Sequence, residues 1–372
     1  MWEDDVDRIL LDGVDIGALP KVSLHDHLDG GLRPQTIVEI ADEIGVDLPA
    51  SDGESLGEWF AESADSGSLV EYLKTFDVTT AVMQTESALV RVAREFVLDL
   101  ADDGVVHGEI RWAPEQHLAR GLSLDAAVEA VQAGLDEGVA LVRSHGRRIQ
   151  VGQLVSAMRH LDRWTEIAEL ALRHRDRGVV GFDIAGPEDG FPPSRHSEAF
   201  DLLARAHMPV TVHAGEAAGI ESIRDALFAG RTLRLGHGVR IAEDLTVDDR
   251  GDELLVELGE TAEWVRSRQI PLELSPSSNL QTGAIAAFGD DIEDHPFDML
   301  YQLGFRVTVN TDNRLQSDTT LTNELALLAE TFDYDLDDLE QLQVNAARST
   351  FLPVEERDDL VEHITDVFDE LR

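Results

Sequence analysis

The chain has 372 residues, 43% of them hydrophobic and 28% charged, an ordinary globular composition with enough apolar side chains for a sizeable core. Its 74 acidic against 30 basic residues leave a formal net charge of −44, which excludes a nucleic-acid partner because little can neutralise a run of phosphates, and is equally unsuited to an anionic membrane surface. With no cysteine, disulfides, thiolate metal sites and cysteine nucleophiles are excluded, and any bound metal must use histidine and carboxylate.

The start, MWEDDVDRILLDGVD, has neither the positive segment nor the apolar run of a secretory signal. No window approaches the roughly 18 apolar residues of a membrane span, so a cytoplasmic protein is expected. Lysine occurs only as Lys21 and Lys74, arginine carries nearly all the positive charge, and acids are spread along the whole chain. This pattern is expected of adaptation to a salty cytoplasm, in which case folding and activity depend on added salt.

In chain order, short apolar runs predict strands at VSLHDHL (22–28), VVHGEIRWA (105–113), RIQVGQLVSA (148–157), VVGFDIAG (179–186), MPVTVHAG (208–215), TLRLGHG (232–238), IPLELSPSS (270–278) and RVTVNTD (306–312). Helical stretches lie between them, such as SLDAAVEAVQAGLDEG, N-capped by Ser123, and GIESIRDALFAG from Gly219. Eight strands alternating with helices predict an α/β fold: one (β/α)₈ barrel domain over residues 1–372, with an inserted helical segment from about 46 to 104 after the first strand. The acid-rich DYDLDDLE (333–340) reads as helix caps or solvated helix faces.

Active sites of such barrels sit at the C-terminal strand ends. The first strand ends in His25 and His27, whose two-residue spacing projects both imidazoles from one face. The fifth ends in His213 followed by Glu216, the sixth in His237, and the eighth in Asp312. His213 alone reads equally well as a core histidine, and His237 as a turn residue in Gly-His-Gly. Together, four strands deliver metal-compatible or acid/base groups to one rim, an N and O donor set suited to a divalent ion such as Zn²⁺. The fourth strand offers Asp183 and Glu188 but no lysine, which favours one ion over a bridged pair; Asp183 reads as a residue behind the ligands or as a helix cap. His107-Gly108-Glu109 matches half of a cysteine-dependent zinc signature that this chain cannot complete, so Glu109 and Arg111 read as barrel-interior, ion-paired residues.

Assembled, these pieces resemble the adenosine deaminase family of metal-dependent amidohydrolases over almost the whole chain. The matching segments are PKVSLHDHLDGGLRPQTI, SLVEYLKTFD, EIRWAPEQH, VVGFDIAGPE, VHAGE, RLGHG, LSPSSNLQTGA with a later HP, VNTDN and NAARSTFL. The resemblance implies that His25, His27, His213 and Asp312 hold one Zn²⁺, with one position left for the attacking water. It implies that Glu216 protonates purine N1, and that His237 orients the attacking oxygen or takes its proton. Gly186 would offer its N–H to purine N3, Asp29 would bond the ribose 5′-hydroxyl, and Asn313, where the family usually has aspartate, would donate to N7; His27 also borders the substrate. Glu216 must then be protonated, which predicts a raised pKa from burial or a hydrogen bond.

The implied activity is hydrolytic deamination of adenosine, and of 2′-deoxyadenosine, to inosine and ammonia in purine salvage. Adenine or an aminofutalosine-like nucleoside is the alternative substrate, and a non-catalytic purine- or metal-binding barrel is the reading from another class. Asp29, SLGEWF (55–60) and EYLKTF (71–76) favour a nucleoside over a free base, and Asp29 argues against a 5′-phosphate. The sequence gives no reading of oligomeric state.

Overall fold

Apolar runs that bury both faces become parallel strands, and eight of them form the centre of this protein: β1 (Lys21–His27), β2 (Val105–Trp112), β3 (Gln150–Met158), β4 (Val179–Ala185), β5 (Thr211–Ala214), β6 (Arg234–His237), β7 (Leu272–Leu274) and β8 (Val307–Val309). The computed structural model describes residues 8–249 and 254–372; the first seven residues of the acidic start, read above as free of a signal, lie outside the described residues. All eight expected strands are present. β1–β4 pair side by side, as do β5–β8, every pair parallel. Single parallel bridges, Phe182 to Val210 and Asp26 to Asp312, join the two sheets along both edges. The eighth strand thereby returns to the first, and residues 25 and 312 become neighbours.

The connection between β1 and β2 carries five helices, α1 (Pro34–Ile44), α2 (Gly53–Ala64), α3 (Leu69–Leu73), α4 (Phe76–Val82) and α5 (Glu86–Asp102), in agreement with the expected helical insertion. α6 (Leu124–Ser144) begins as predicted, with Ser123 Oγ accepting from the N–H of Ala126. It continues beyond the quoted helical stretch to Ser144. Gly134 and Gly138 do not end this helix but let it approach α5: a Cβ at 134 would lie 2.3 Å from the Val90 carbonyl oxygen, and one at 138 would lie 2.7 Å from Val97 Cβ. Further helices include α7 (Trp164–His174), α8 (Ser197–Arg205), α9 (Ile220–Phe228) and α10 (Glu260–Ser267). The predicted seventh strand is shorter than expected, because Pro276 starts α11 (Pro276–Gln281), a position where the missing N–H costs nothing. In DYDLDDLE, Asp335 caps the helix Leu336–Ser349, as expected. No described helix is long and apolar enough to cross a membrane.

Helices shield the barrel with apolar faces, but the barrel interior is charged. Glu109 and Arg111 from β2, Arg234 from β6 and Glu273 from β7 are at most 1% exposed. Arg111 reaches Glu273 at 2.7 Å, and Arg234 reaches both Glu273 and Glu109 at 2.6 Å. Each carboxylate is paired, as burial of charge requires. Burial alone would raise Glu273, but Arg111 and Arg234 hold it well below the usual carboxylate range. The ion-paired reading of Glu109 and Arg111 holds.

Candidate active site

Above that charged layer, the strand ends bring His25, His27, His213, His237 and Asp312 together. His25 and His213 ring centroids are 4.6 Å apart, His25 and His237 also 4.6 Å, and His27 and His213 5.2 Å. Two backbones there are forced: His237 (φ 61°) and Asp312 (φ 60°) occupy the left-handed region, which non-glycine residues persist in only when their surroundings over-determine them. For Asp312 the over-determination is visible, since its N–H donates to the His25 carbonyl at 2.9 Å and its carbonyl accepts from the His27 N–H at 2.8 Å.

What stands behind each imidazole decides what it offers. His25 Nδ1 lies 3.1 Å from Glu273 Oε2, and His213 Nδ1 lies 3.1 Å from Asp183 Oδ1. A carboxylate accepts only, so both Nδ1 atoms carry protons, and in the neutral ring that binds a metal each Nε2 would face the centre as a lone pair. There they meet other acceptors: His25 Nε2 is 3.1 Å from Asp312 Oδ1, and His27 Nε2 is 3.3 Å from the same oxygen and 3.2 Å from His213 Nε2. His25 Nε2 is buried without a hydrogen-bond partner. Donors about 2.0–2.2 Å from a shared tetrahedral ion stand roughly 3.3–3.5 Å from one another, so these contacts match the edges of a coordination shell. The residues present therefore fit a divalent ion.

Donor atoms of His25, His213, His237 and Asp312 all lie within 4.8 Å of one another, and His27 Nε2 reaches Asp312 and His213 at 3.3 and 3.2 Å. Asp312 Oδ2 also accepts from Ser278 Oγ at 2.6 Å. Of the two readings of Asp183, the one behind the ligands holds: it accepts from His213 and from Ser156 Oγ at 3.0 Å. Burial would raise Asp183, but His213 and Arg111 together hold it down at about 2.

Glu216 stands beside this cluster, its Oε2 3.6 Å from His237 Nε2. It is 5% exposed, and burial, followed by the charges of Asp312 and Glu188, drives its pKa well above the ordinary value, as its expected protonation requires. Its loop is held by Glu188, whose carboxylate accepts from the N–H groups of Gly215, Glu216, Ala217 and Ala218 at 2.7–3.1 Å.

The cluster forms the floor of a cavity of about 380 Å³, within the range of small-molecule sites. Asp29, Gly186 and Asn313 line it with His27 and Glu216. Gly186 has φ 95° and no side chain to block the wall; a Cβ there would lie 3.0 Å from Met158 Cε. Asp29 Oδ1 and Asn313 Oδ1 are buried acceptors without protein partners, and burial lifts Asp29 to about 7. Tyr72, Leu73 and Phe76 of EYLKTF line the wall as expected. SLGEWF does not: Leu56 and Phe60 are fully buried among the helices, because α2 turns its apolar face to the core.

Sequence reasoning named Glu188 only as an acid of the fourth strand, without its role, and missed Glu273, Ser278 and Asn279. Glu273 had a signal in LEL, where an acid interrupts an apolar strand and so demands a buried partner. Glu188, Ser278 and Asn279 act through loop geometry, which leaves no periodic trace.

A sequence profile of the adenosine deaminase family matches residues 20–367. The chain is 56% identical over 339 residues to adenosine deaminase 1 of Streptomyces coelicolor, covering 91% of this chain and 84% of that one. It is 51% identical over 355 residues to an adenosine deaminase of Mycobacteroides abscessus, covering 95% and 96%. Among solved structures, an adenine deaminase from Arthrobacter aurescens superposes with a TM-score of 0.81 at 25% identity, covering 95% of this chain and all of that one.

Proposed function

The chain belongs to the adenosine deaminase family of metal-dependent amidohydrolases, and from that premise we propose that it hydrolyses adenosine, and 2′-deoxyadenosine, to inosine and ammonia. The observation that carries this reading is the convergence of His25, His27, His213 and Asp312 at 3.1–3.3 Å, with His25 Nε2 buried and without a hydrogen-bond partner, beside the buried acid Glu216 at the floor of a nucleoside-sized cavity.

His25, His27, His213 and Asp312 would hold one Zn²⁺; the all-N,O donor set and the absence of cysteine support that choice. Bound there, the ion lowers the pKa of a water from 15.7 toward about 7 and so supplies the nucleophile at neutral pH. The chain's own residues do the rest. Glu216 gives its proton to purine N1, so that charge developing on the ring as C6 is attacked is neutralised. His237 faces the attacking oxygen from the side of Glu216. Asp29 accepts from the ribose 5′-hydroxyl with its unpartnered oxygen, Gly186 turns its N–H to N3, and Asn313 meets N7 through an amide that donates without titrating. The exocyclic nitrogen leaves as ammonia.

We propose one domain over the whole chain and a cytoplasmic setting, and no nucleic-acid or membrane partner. The adenine alternative shares the metal site and differs on the ribose side, where Asp29 would have no hydroxyl to meet. Turnover of adenosine against adenine, followed by the absorbance change on deamination, separates the two: rapid turnover of adenosine and little of adenine is expected. Conversion of adenine alone would overturn the assignment.

A further inference from the structure

His237 stands apart from the other site histidines in what lies behind it. His25 and His213 are backed by carboxylates, but His237 Nδ1 lies 3.0 Å from Asn279 Nδ2. Which end of an amide faces which neighbour is settled by its hydrogen bonds, and here the chain of bonds starts from a group that can only donate. The backbone N–H of Phe297 donates to His295 Nδ1 at 3.0 Å. His295 is 3% exposed, and burial pushes its pKa down to about 3, so the ring is neutral and its one proton sits on Nε2.

That proton faces Asn279 Oδ1 at 3.2 Å, and the backbone N–H of Ser275 donates to the same oxygen at 3.4 Å. Turning the amide over would set two donors against its NH₂. The oxygen is therefore pinned, and the NH₂ points at His237 Nδ1, which must accept. Asn279 is itself fully buried.

We infer that Asn279 and His295 are positioning residues that lock His237 in the tautomer with its proton on Nε2, so that His237 donates a hydrogen bond into the site and neither ligates the metal nor takes a proton from the attacking water. The contact geometry that admits His237 to a four-donor group is overruled by chemistry: ligation through Nε2 would leave an Nδ1–H against the Asn279 NH₂. The carboxylate-backed imidazoles of His25 and His213 turn lone pairs to the centre, and the amide-backed imidazole of His237 turns a donor. In sequence terms, the Asn of SPSSN and the His of the later HP act on a residue 42 and 58 positions before them, in GHG.

The inference rests on His237 lying in the site proposed above, and a tautomer is read independently of turnover, so the two can fail separately. Long-range ¹⁵N–¹H correlation spectra of the zinc-loaded protein labelled in its histidines, with His237→Gln to assign the signal, report the tautomer directly. The Nε2–H pattern is expected for His237; an Nδ1–H pattern overturns the inference without any variant of Asn279 having to fold. Asn279→Asp substitutes an acceptor and should move the proton to Nδ1. Its kcat should fall about 10²–10³-fold, the usual loss for one misplaced donor at a reacting oxygen, with KM within a few fold. Asn279→Ala frees the tautomer and should lose less than Asn279→Asp. A purely structural role predicts the reverse order, because aspartate keeps the volume that alanine removes, and that order would overturn the assignment.

Discussion

Two layers of the same barrel, separated by a few ångströms, handle buried charge in opposite ways. In the lower layer Glu109, Arg111, Arg234 and Glu273 are all paired at 2.6–2.7 Å, each charge facing its complement. In the upper layer His25, His27, His213 and Asp312 bring ring nitrogens and a carboxylate oxygen to within 3.1–3.3 Å of one another. The first arrangement pairs its own charges; the second is a donor set that fits a divalent ion. Glu273 belongs to both, since it pairs with Arg111 and Arg234 and also receives the His25 proton. The difference teaches that buried charge marks a functional site where it is left unpaired, not simply where it is dense.

The sharpest way to separate the layers is to remove the proton donor and leave the ligands. Glu216→Gln should lower kcat by about 10²–10⁴-fold, the range for a general acid, while metal content stays that of the wild type. Loss of metal with activity would move Glu216 into the ligand set. Glu273→Gln attacks both layers at once: the metal dissociation constant should rise about 10–100-fold through the loosened His25, and unfolding should cost about 3–5 kcal/mol less because two guanidiniums lose a partner. Chelator titration and chemical denaturation measure the two effects. A change in stability alone would confine Glu273 to the lower layer.

Asp29→Ala tests the orphan acceptor at the cavity wall. It should lower kcat/KM for adenosine about 10–100-fold, and leave 5′-deoxyadenosine little changed, since that substrate never made the bond. The smallest effect is expected at the barrel's other end, where Lys21 donates to the carbonyls of Leu19 and Gly17 and burial pushes its pKa down to about 8. An unfolded lysine titrates near 10.4, so between about pH 8 and 10 the unfolded chain binds the proton that the folded chain has shed. Stability should therefore climb across that window by about 2–3 kcal/mol, and Lys21→Met should remove the climb without touching turnover. The three tyrosines are all pushed above their usual range, so toward pH 10 their unfolded forms shed protons first and oppose the climb, which makes the difference between wild type and Lys21→Met the quantity to read.

Much of this was legible in the residues. Strand ends announce themselves because an apolar run that stops at His, Glu or Asp is a local pattern, and the barrel rule then gathers His25, His213, His237 and Asp312 across nearly 290 positions. Asp183 was visible as a candidate but not its partner, because a hydrogen bond to an imidazole Nδ1 depends on where a neighbouring strand ends. The glycines of α6 gave no hint of their role, since a glycine that ends a helix and one that admits a neighbouring helix look alike in sequence. SLGEWF misled for a related reason: its aromatics fill a core, and only packing tells a core face from a pocket wall. Asn279 was invisible, since its role lies in which way an amide faces.

The proposed reaction needs one ion held at the barrel mouth by three imidazoles and a carboxylate, with a fourth imidazole beside it that does not bind. The X-ray absorption spectrum at the metal edge of the purified protein tests this most directly. It should fit one zinc with three imidazole nitrogens and oxygen donors and no metal–metal vector, unchanged in Glu216→Gln. A fourth imidazole, or a second metal within a few ångströms, would contradict it.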